Sequence, residues 1–480
     1  MTAACPHKQL RVAFVHPDLG IGGAERLVVD AALGLQKLGH AVDIYTSHHD
    51  PNHCFDETRD GTLNVHAIHP PVPRAFKGKF HILFSHARQL HLITHLLGSS
   101  VPKYDVYFVD QLSTCIPFLR AFGHTRVVFY CHFPDKLLAD GAYVEGKIQR
   151  KGGLLKRIYR FPMDWLEEVT TRQADVILAN SNFTSRVFRA HFTSIGVTPQ
   201  VVYPGINLAA YEVTNVDHKD PDILQITSDR PTLLSLNRFE KKKNASLAIE
   251  AFARLRKKVE GTPHLNSMRL VIAGGYDPRL EDNMMCFVSL VDRVKANSLT
   301  YDIIQPGSSK VNIPPFQTTK QDPSVVFLLN FTTSQRSALL SSSSTLSLLY
   351  TPENEHFGIG PVEGMVCGVP VLACNSGGPT ESVVDSPLAE RTGWLCKPDP
   401  DVWAEALLEI VSMSKEERKA LAERATARAK EKFGMEAMAK GIESALENAI
   451  AMGSVNVLTW VWIILLSIFC VPLVALVAFR

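Results

Sequence analysis

The chain has 480 residues, 46% of them hydrophobic and 20% charged, with a formal net charge of +2. That length exceeds one ordinary core, so a globular protein with two domains of about 200 residues each is expected. The nine cysteines are scattered and form no C-x-x-C pair, which suits reduced thiols in the cytosol and argues against a disulfide framework or a zinc site.

The first twenty residues, "MTAACPHKQLRVAFVHPDLG", lack a long apolar core. No secretory signal is expected, and the bulk of the chain is expected in the cytosol. In the first half, "LRVAFVHP", "AVDIYTS", "YDVYFVD", "TRVVFYCH" and "ADVILANS" read as strands. They are separated by segments such as "AERLVVDAALGLQKLGH", whose apolar positions recur at helical spacing. The pattern restarts with "PTLLSLNRF", "MRLVIAGG", "SVVFLLN", "TLSLLYTP" and "VPVLACN". This alternation predicts two doubly wound parallel sheets. Ligands of such sheets bind beyond the carboxyl ends of the strands, so two facing sheets would place the site in the cleft between them. The break is expected near "VVYPGINLAAYEV", with Pro204 and Gly205 as a hinge.

Four segments carry the chemistry. "GIGGAER" follows a strand and opens a helix. The third glycine of a dinucleotide fingerprint is replaced by Glu25, which weakens an NAD reading. What remains is a tight loop, in which Gly22 and Gly23 let a ligand approach backbone N–H groups or merely shape the turn. "LNRFEKKKN" places Arg238 five residues before Lys243 at a strand's carboxyl end. A planar guanidinium and a point charge there suit a diphosphate leaving group. "CNSGGPTES" leads through Gly377 and Gly378 into a helix expected near Pro379. "LLYTPENEHFGIGPVEG" sets Glu355 and Glu363 around a glycine loop, before a helix expected to start near Pro361. Glu363 would then lie in the first helical turn, as a cap or as an acceptor for ribose hydroxyls. Glu355 could accept from a hexose. Solvated lysines and turn glycines are the plainer alternatives, but together the elements ask for a nucleotide-sugar.

Two regions bear on membranes. Between Val72 and Arg172 there are fifteen Lys and Arg against eight Asp and Glu, a local excess of +7, with six histidines besides. An amphipathic surface on anionic lipid and an ordinary solvated helix face both fit; no nucleic-acid module accompanies the charge. The uncharged, apolar C-terminal segment, residues 455–479, is long enough to read as a transmembrane helix, a buried C-terminal helix being the alternative. Three sequons, at Asn182, Asn244 and Asn330, are read as chance matches in a cytosolic domain.

Taken together, the "GGAER" loop, the "NRFEKKKN" cations and the E-x-x-x-x-x-x-x-E spacing behind "HFGI" resemble the retaining glycosyltransferases of family 4. "HPDLGIGGAERLVVDAA", "YCHFPDKLLA", "NSNFTS", "YPGIN" and "LLYTPENEHFGIGPVEGMVCGVPVLACNSGGPTE" resemble more narrowly its alpha-1,3/1,6-mannosyltransferases of dolichol-linked oligosaccharide synthesis. The resemblance implies a GT-B fold of two facing Rossmann-like domains. They are expected at residues 8–204 (acceptor side) and 205–445 (nucleotide-sugar side), with the transmembrane helix after them. It implies GDP-mannose as donor, no required cofactor or metal, and a dolichol-pyrophosphate-linked oligosaccharide as acceptor. It also implies the endoplasmic reticulum membrane, with the catalytic domains on the cytosolic face, and other mannosyltransferases of the pathway as partners.

By motif, Arg238 and Lys243 would hold the pyrophosphate, Glu363 the ribose and Glu355 the mannose. His356, Phe357 and Gly358 would contact sugar and phosphates, with Gly22 and Gly23 approaching from the first domain. His132 takes the place of the histidine near the anomeric centre. Rival readings are a metal-using transferase, an inactive tail-anchored scaffold, and a transferase with another nucleotide-sugar and lipid acceptor. The marks of the first would be the two Asp-x-Asp motifs at Asp220–Asp222 and Asp399–Asp401, which read better as turns or helix caps.

Overall fold

The computed structural model describes residues 9–76, 80–138, 143–144, 147–148, 154–211, 219–309, 311–319 and 321–455. The chain divides into two compact units, residues 1–206 with 434–480, and residues 207–433.

In the first unit, seven strands form a parallel sheet: β1 (Arg11–His16), β2 (Ala41–Thr46), β3 (Asn64–Ala67), β4 (Val106–Asp110), β5 (Arg126–Cys131), β6 (Val176–Ala179) and β7 (Gln200–Val201). Their order is β3-β2-β1-β4-β5-β6-β7. Strand β4 is buried along its whole length, as expected for a parallel sheet covered on both faces. The helix Gly23–Lys37 lays Leu27, Val28, Ala31 and Leu35 on the sheet, the helical stripe read from the sequence.

The second unit repeats the plan with β8 (Thr232–Leu236), β9 (Arg269–Gly274), β10 (Tyr301–Ile304), β11 (Val325–Leu329), β12 (Thr345–Tyr350), β13 (Val371–Cys374) and β14 (Gly393–Cys396). All pairings are parallel, in the order β10-β11-β9-β8-β12-β13-β14. Its core joins Phe239, Phe252, Phe287 and Phe327 with the fully buried Trp403.

Two sequence expectations change. The helix Met435–Ala451 packs into the first unit, so the second unit does not run on to 445. Met438, Ile442, Ala445 and Leu446 join the core beneath the first sheet, and a Cβ at Gly34 would collide with Cβ of Ala439. At the return point Ile206 pairs with Gly434 in a parallel bridge, and Met435 N–H donates to the Ile206 carbonyl. The transmembrane helix expected over 455–479 is also corrected. Among the described residues no helix is long and apolar enough to cross a membrane. The last described helix ends at Ala451, and residues 456–479 of the expected span lie outside the described residues.

The local basic excess has a partly internal explanation. Arg120 and Arg126 converge on the buried Asp175 at 3.2 and 2.5 Å, Lys136 pairs with Glu168 at 2.9 Å, and Arg160 with Asp164 at 2.8 Å. These cations are tied to carboxylates of their own unit.

Candidate active site

In the second unit the candidate residues gather at the carboxyl ends of four neighbouring strands, β9, β8, β12 and β13, where open parallel sheets bind ligands. Glycines permit the close approach. A Cβ at Gly274, ending β9, would collide with the Asn237 carbonyl, so the loop after β8 can lie over it with Phe239 N–H donating to the Gly275 carbonyl at 3.0 Å. Gly377 has φ +66°, and a Cβ there would strike the Glu355 backbone; one at Gly378 would strike that of Phe357. Gly378 N–H donates to the Glu355 carbonyl at 2.8 Å. The glycine pair is thus the floor under the glutamate loop.

That packing brings Lys243 and Glu355 together. Lys243 Nζ lies 2.5 Å from Glu355 Oε2, and Tyr350 Oη donates to the same oxygen at 3.3 Å. Burial alone would raise the Glu355 pKa, but the charge and hydrogen bond of Lys243, with His356 and Lys242 adding, hold it below the usual carboxylate range. The Lys243 carbonyl accepts from Thr351 Oγ1 at 2.7 Å, fixing the backbone as well. The Arg238 side chain is 63% exposed, with Glu240 3.9 Å away, so its guanidinium is free to meet an anion.

The helix after the glycine loop is Ile359–Val366, with Gly358 at its N-cap in the left-handed region at φ +81°. It starts two residues before Pro361. Glu363 therefore lies beyond the first turn, and the expected capping role does not hold. Instead Glu363 is nearly buried and its Oε1 accepts from Tyr211 Oη at 2.5 Å and Arg336 Nη1 at 2.9 Å. The Arg336 guanidinium also covers the Tyr211 ring at 4.9 Å. Phe357 points into the core against Phe433, so only its backbone is left to face a ligand. His356 is half-buried. The helix expected at Pro379 is a single turn, Pro379–Ser382. Both Asp-x-Asp motifs are helix caps: Asp220 accepts from Asp222 N–H, and Asp399 from Asp401 and Val402 N–H.

In the first unit, Gly22 is the extended N-cap of the helix Gly23–Lys37. The Glu25 carboxylate occupies the space a Gly22 Cβ would need, whereas Gly23 faces open space. An anion at this helix start would have to displace the protein's own carboxylate. His132 follows β5 and its Nε2 lies 2.7 Å from Asp110 Oδ1. Asp110 ends β4 fully buried, and its other oxygen is 2.8 Å from Nδ1 of His16, which ends β1. Burial would raise the Asp110 pKa, but His132 and then His16 hold it at about 2. Burial would lower the His16 pKa, yet Asp110, with Glu25 and Asp18 adding, leaves it raised.

Sequence reasoning missed Tyr211, Arg336 and Tyr350 in the second unit and His16 and Asp110 in the first. A signal for three of them existed: His16, Asp110 and Tyr350 are each the last residue of a strand. Nothing in the spacing links Tyr211 or Arg336 to Glu363, 152 and 27 residues away.

A family model described as Glycosyltransferase Family 4 matches residues 21–210, and one described as Glycosyl transferases group 1 matches 216–296 and 317–428. The alpha-1,3/1,6-mannosyltransferase ALG2 of Rhizomucor pusillus is 45% identical over 440 residues, covering 91% of each chain. That of Saccharomyces cerevisiae is 41% identical over 446 residues, covering 92% of this chain and 85% of the relative. Among solved structures, sucrose-phosphate synthase of Thermosynechococcus elongatus aligns with TM-score 0.68 at 18% identity, over 93% of this chain and all of that one. Anabaena HepE in complex with UDP and glucose aligns with TM-score 0.60 at 15% identity, over 92% and 100%. These two show the fold, of the GT-B class. With relatives of such identity over nearly the whole chain, the protein belongs to the alpha-1,3/1,6-mannosyltransferases of glycosyltransferase family 4 and is a glycosyltransferase.

Proposed function

We propose that the chain is a retaining mannosyltransferase that takes mannose from GDP-mannose. It adds one mannose in alpha-1,3 and then one in alpha-1,6 linkage to the mannosyl-chitobiose-diphosphodolichol precursor of protein N-glycosylation. The alpha-1,3/1,6-mannosyltransferase relatives, at 41–45% identity, support the reaction. The observation that carries the site is the Lys243–Glu355 pair set on the Gly377–Gly378 floor. That pair supports the reading: a cation suited to phosphate stands against a carboxylate suited to sugar hydroxyls, with the exposed Arg238 guanidinium on the same loop as Lys243. Dolichol-linked synthesis belongs to the endoplasmic reticulum, with the catalytic units on the cytosolic face and the other transferases of the sequence as partners.

The chemistry follows from charge. As the mannose C1–O bond breaks, the sugar gains oxocarbenium character and the diphosphate gains negative charge. Each 1.4 kcal/mol of leaving-group stabilisation is about tenfold in rate. An ammonium has three donors; Glu355 takes one of those on Lys243 and leaves the others for phosphate oxygens. Arg238 adds a planar fork, so these two cations supply the charge without a metal. Glu355, kept ionised by Lys243, accepts from mannose hydroxyls, and Glu363 Oε2 accepts from the ribose while Oε1 stays on Tyr211 and Arg336. His356 and the Phe357 and Gly358 backbone line the loop. The acceptor oxygen forms its bond to C1 on the face the phosphate leaves. Bonding on that face retains configuration, and the departing phosphate oxygen takes the acceptor's proton.

Calorimetry tests the donor. GDP-mannose and GDP should bind, and UDP-glucose should bind at least about tenfold more weakly, a difference of about 1.4 kcal/mol. Equal binding of UDP-glucose would reject GDP-mannose as the specific donor.

A further inference from the structure

His16, Asp110 and His132 stand at the carboxyl ends of β1, β4 and β5, three adjacent strands of one sheet. One buried carboxylate lies between two imidazoles: Asp110 Oδ2 is 2.8 Å from His16 Nδ1, and Asp110 Oδ1 is 2.7 Å from His132 Nε2. The 2.8 Å hydrogen bond between His16 Nδ1 and Asp110 Oδ2 needs a proton between the two atoms; His132 Nε2 and Asp110 Oδ1 meet at ion-pair distance without hydrogen-bond alignment, and the carboxylate charge there favours the ring proton on the nearer nitrogen. The ionised state of Asp110 agrees, since its pKa is held at about 2. His16 is 1% exposed, and its Nε2 has no hydrogen-bond partner among the described residues. Asp110, with Glu25 and Asp18 adding, supplies the negative charge that acts on it. The His132 side chain is 20% exposed and is the one member of the three that can reach a ligand.

We infer that Asp110 is a positioning residue that fixes His132 as the Nε2–H tautomer, so that Nδ1 is left as a hydrogen-bond acceptor for a sugar ligand, and that His16 anchors the far side of the same carboxylate. The second half of this statement of His132's task rests on the function proposed above; the tautomer does not. In a neutral imidazole one nitrogen donates and the other accepts, and the bond made by one sets the role of the other. Without the Asp110 charge, His132 loses the partner that selects its tautomer and its ring orientation. His16 gives the other carboxylate oxygen a hydrogen-bond partner of its own, so the buried Asp110 charge does not depend on His132 alone.

The test uses the full chain with 15N-labelled histidine, the His132 signals being identified by their absence in His132→Asn. Wild type should show a protonated Nε2 and an unprotonated Nδ1. Asp110→Asn should mix the tautomers and lower kcat about 10- to 100-fold, the range for losing a group that orients a functional histidine, with KM for GDP-mannose within about twofold. Asp110→Glu should restore part of kcat, and His16→Gln should lower it less than Asp110→Asn does. If Asp110→Asn fails to fold, the wild-type spectrum still decides: a protonated Nδ1 at His132 overturns the inference. So does a folded Asp110→Asn with unchanged tautomer and kcat. If wild type transfers no mannose, the proposed function fails, while the spectrum still tests the role of Asp110.

Discussion

Lys243 Nζ sits 2.5 Å from Glu355 Oε2 and ties the loop after β8 to the loop after β12, so that 112 residues of sequence close into one site. Both groups are partly shielded, which makes each the other's main counter-charge. Lys243→Met should therefore do two things. It removes phosphate stabilisation, with an expected loss in kcat/KM of about 100-fold, near 2.7 kcal/mol. It also leaves the Glu355 carboxylate without its cation, so the Glu355 pKa rises. Steady-state kinetics and a Tm measurement report the two effects separately.

The two glutamates should divide their labour. Glu363→Gln should weaken GDP binding about tenfold, or about 1.4 kcal/mol, because the nucleotide loses a ribose acceptor. Glu355→Gln should leave GDP binding within about twofold and lower kcat about tenfold or more, a transition-state loss. Calorimetry with GDP beside turnover with GDP-mannose separates the cases, and the reverse pattern would reject the division.

Gly378→Ala forces a Cβ into the Phe357 backbone, so the loop carrying Glu355 must shift. Misplacement of about 1 Å in a reacting constellation can cost 10²-fold. Turnover should fall at least about tenfold in a protein that still melts cooperatively. Gly23→Ala, where nothing lies within 4 Å, serves as the contrast for steric crowding.

The pH dependence of stability has an identifiable source in Glu167. It is buried and accepts the backbone N–H groups of Asp135 and Lys136 at 2.7 and 2.9 Å. Burial first, and the Asp135 charge second, push its carboxyl up to about 8. A carboxyl raised on folding stabilises fully below its unfolded pKa, near 4.5, and loses that contribution as pH rises through about 8. Tm should therefore fall between pH 5 and pH 9, at about 2–4 °C per kcal/mol for a unit of this size. The fall should be smaller in Glu167→Gln. An equal fall in both proteins would remove Glu167 as the source.

The Asp-x-Asp motifs give a structural prediction in place of a catalytic one. Asp399→Ala removes the acceptor for the Asp401 and Val402 N–H groups and should cost about 1 kcal/mol of stability. Its kcat should stay within about twofold of wild type, since an N-cap aspartate of this kind serves the helix end, and EDTA should leave activity unchanged. Inhibition by EDTA, restored by a divalent ion, would require a metal after all.

The parallel strands at the centre of each sheet were legible because burial on both faces leaves continuous apolar runs such as "YFVD" and "VVFLL". Strands at the edges, Asn64–Ala67, Gln200–Val201, Tyr301–Ile304 and Gly393–Cys396, escaped because they are short, and all but the last are only partly apolar. The returning helix Met435–Ala451 carries an apolar stripe that does not say which core it fills; the small Gly34 and Ala439 settle that in space. At the site, Arg238, Lys243, Glu355 and the glycines could be read from strand ends and turns. The carboxylate partners could not, because Tyr211 and Arg336 come from elements with no local motif; nor could the burial of the Phe357 ring, which leaves that residue only its backbone to face a ligand.

The most direct measurement is transfer itself. The purified chain is incubated with GDP-mannose and a synthetic lipid-pyrophosphate carrying the mannosyl-chitobiose trisaccharide, and the product is weighed by mass spectrometry and digested with linkage-specific mannosidases. Two mannoses should be added, the first alpha-1,3 and the second alpha-1,6, and none by the Lys243→Met protein over the same interval. Absence of transfer by wild type, or mannose added in another linkage, would contradict the proposed function.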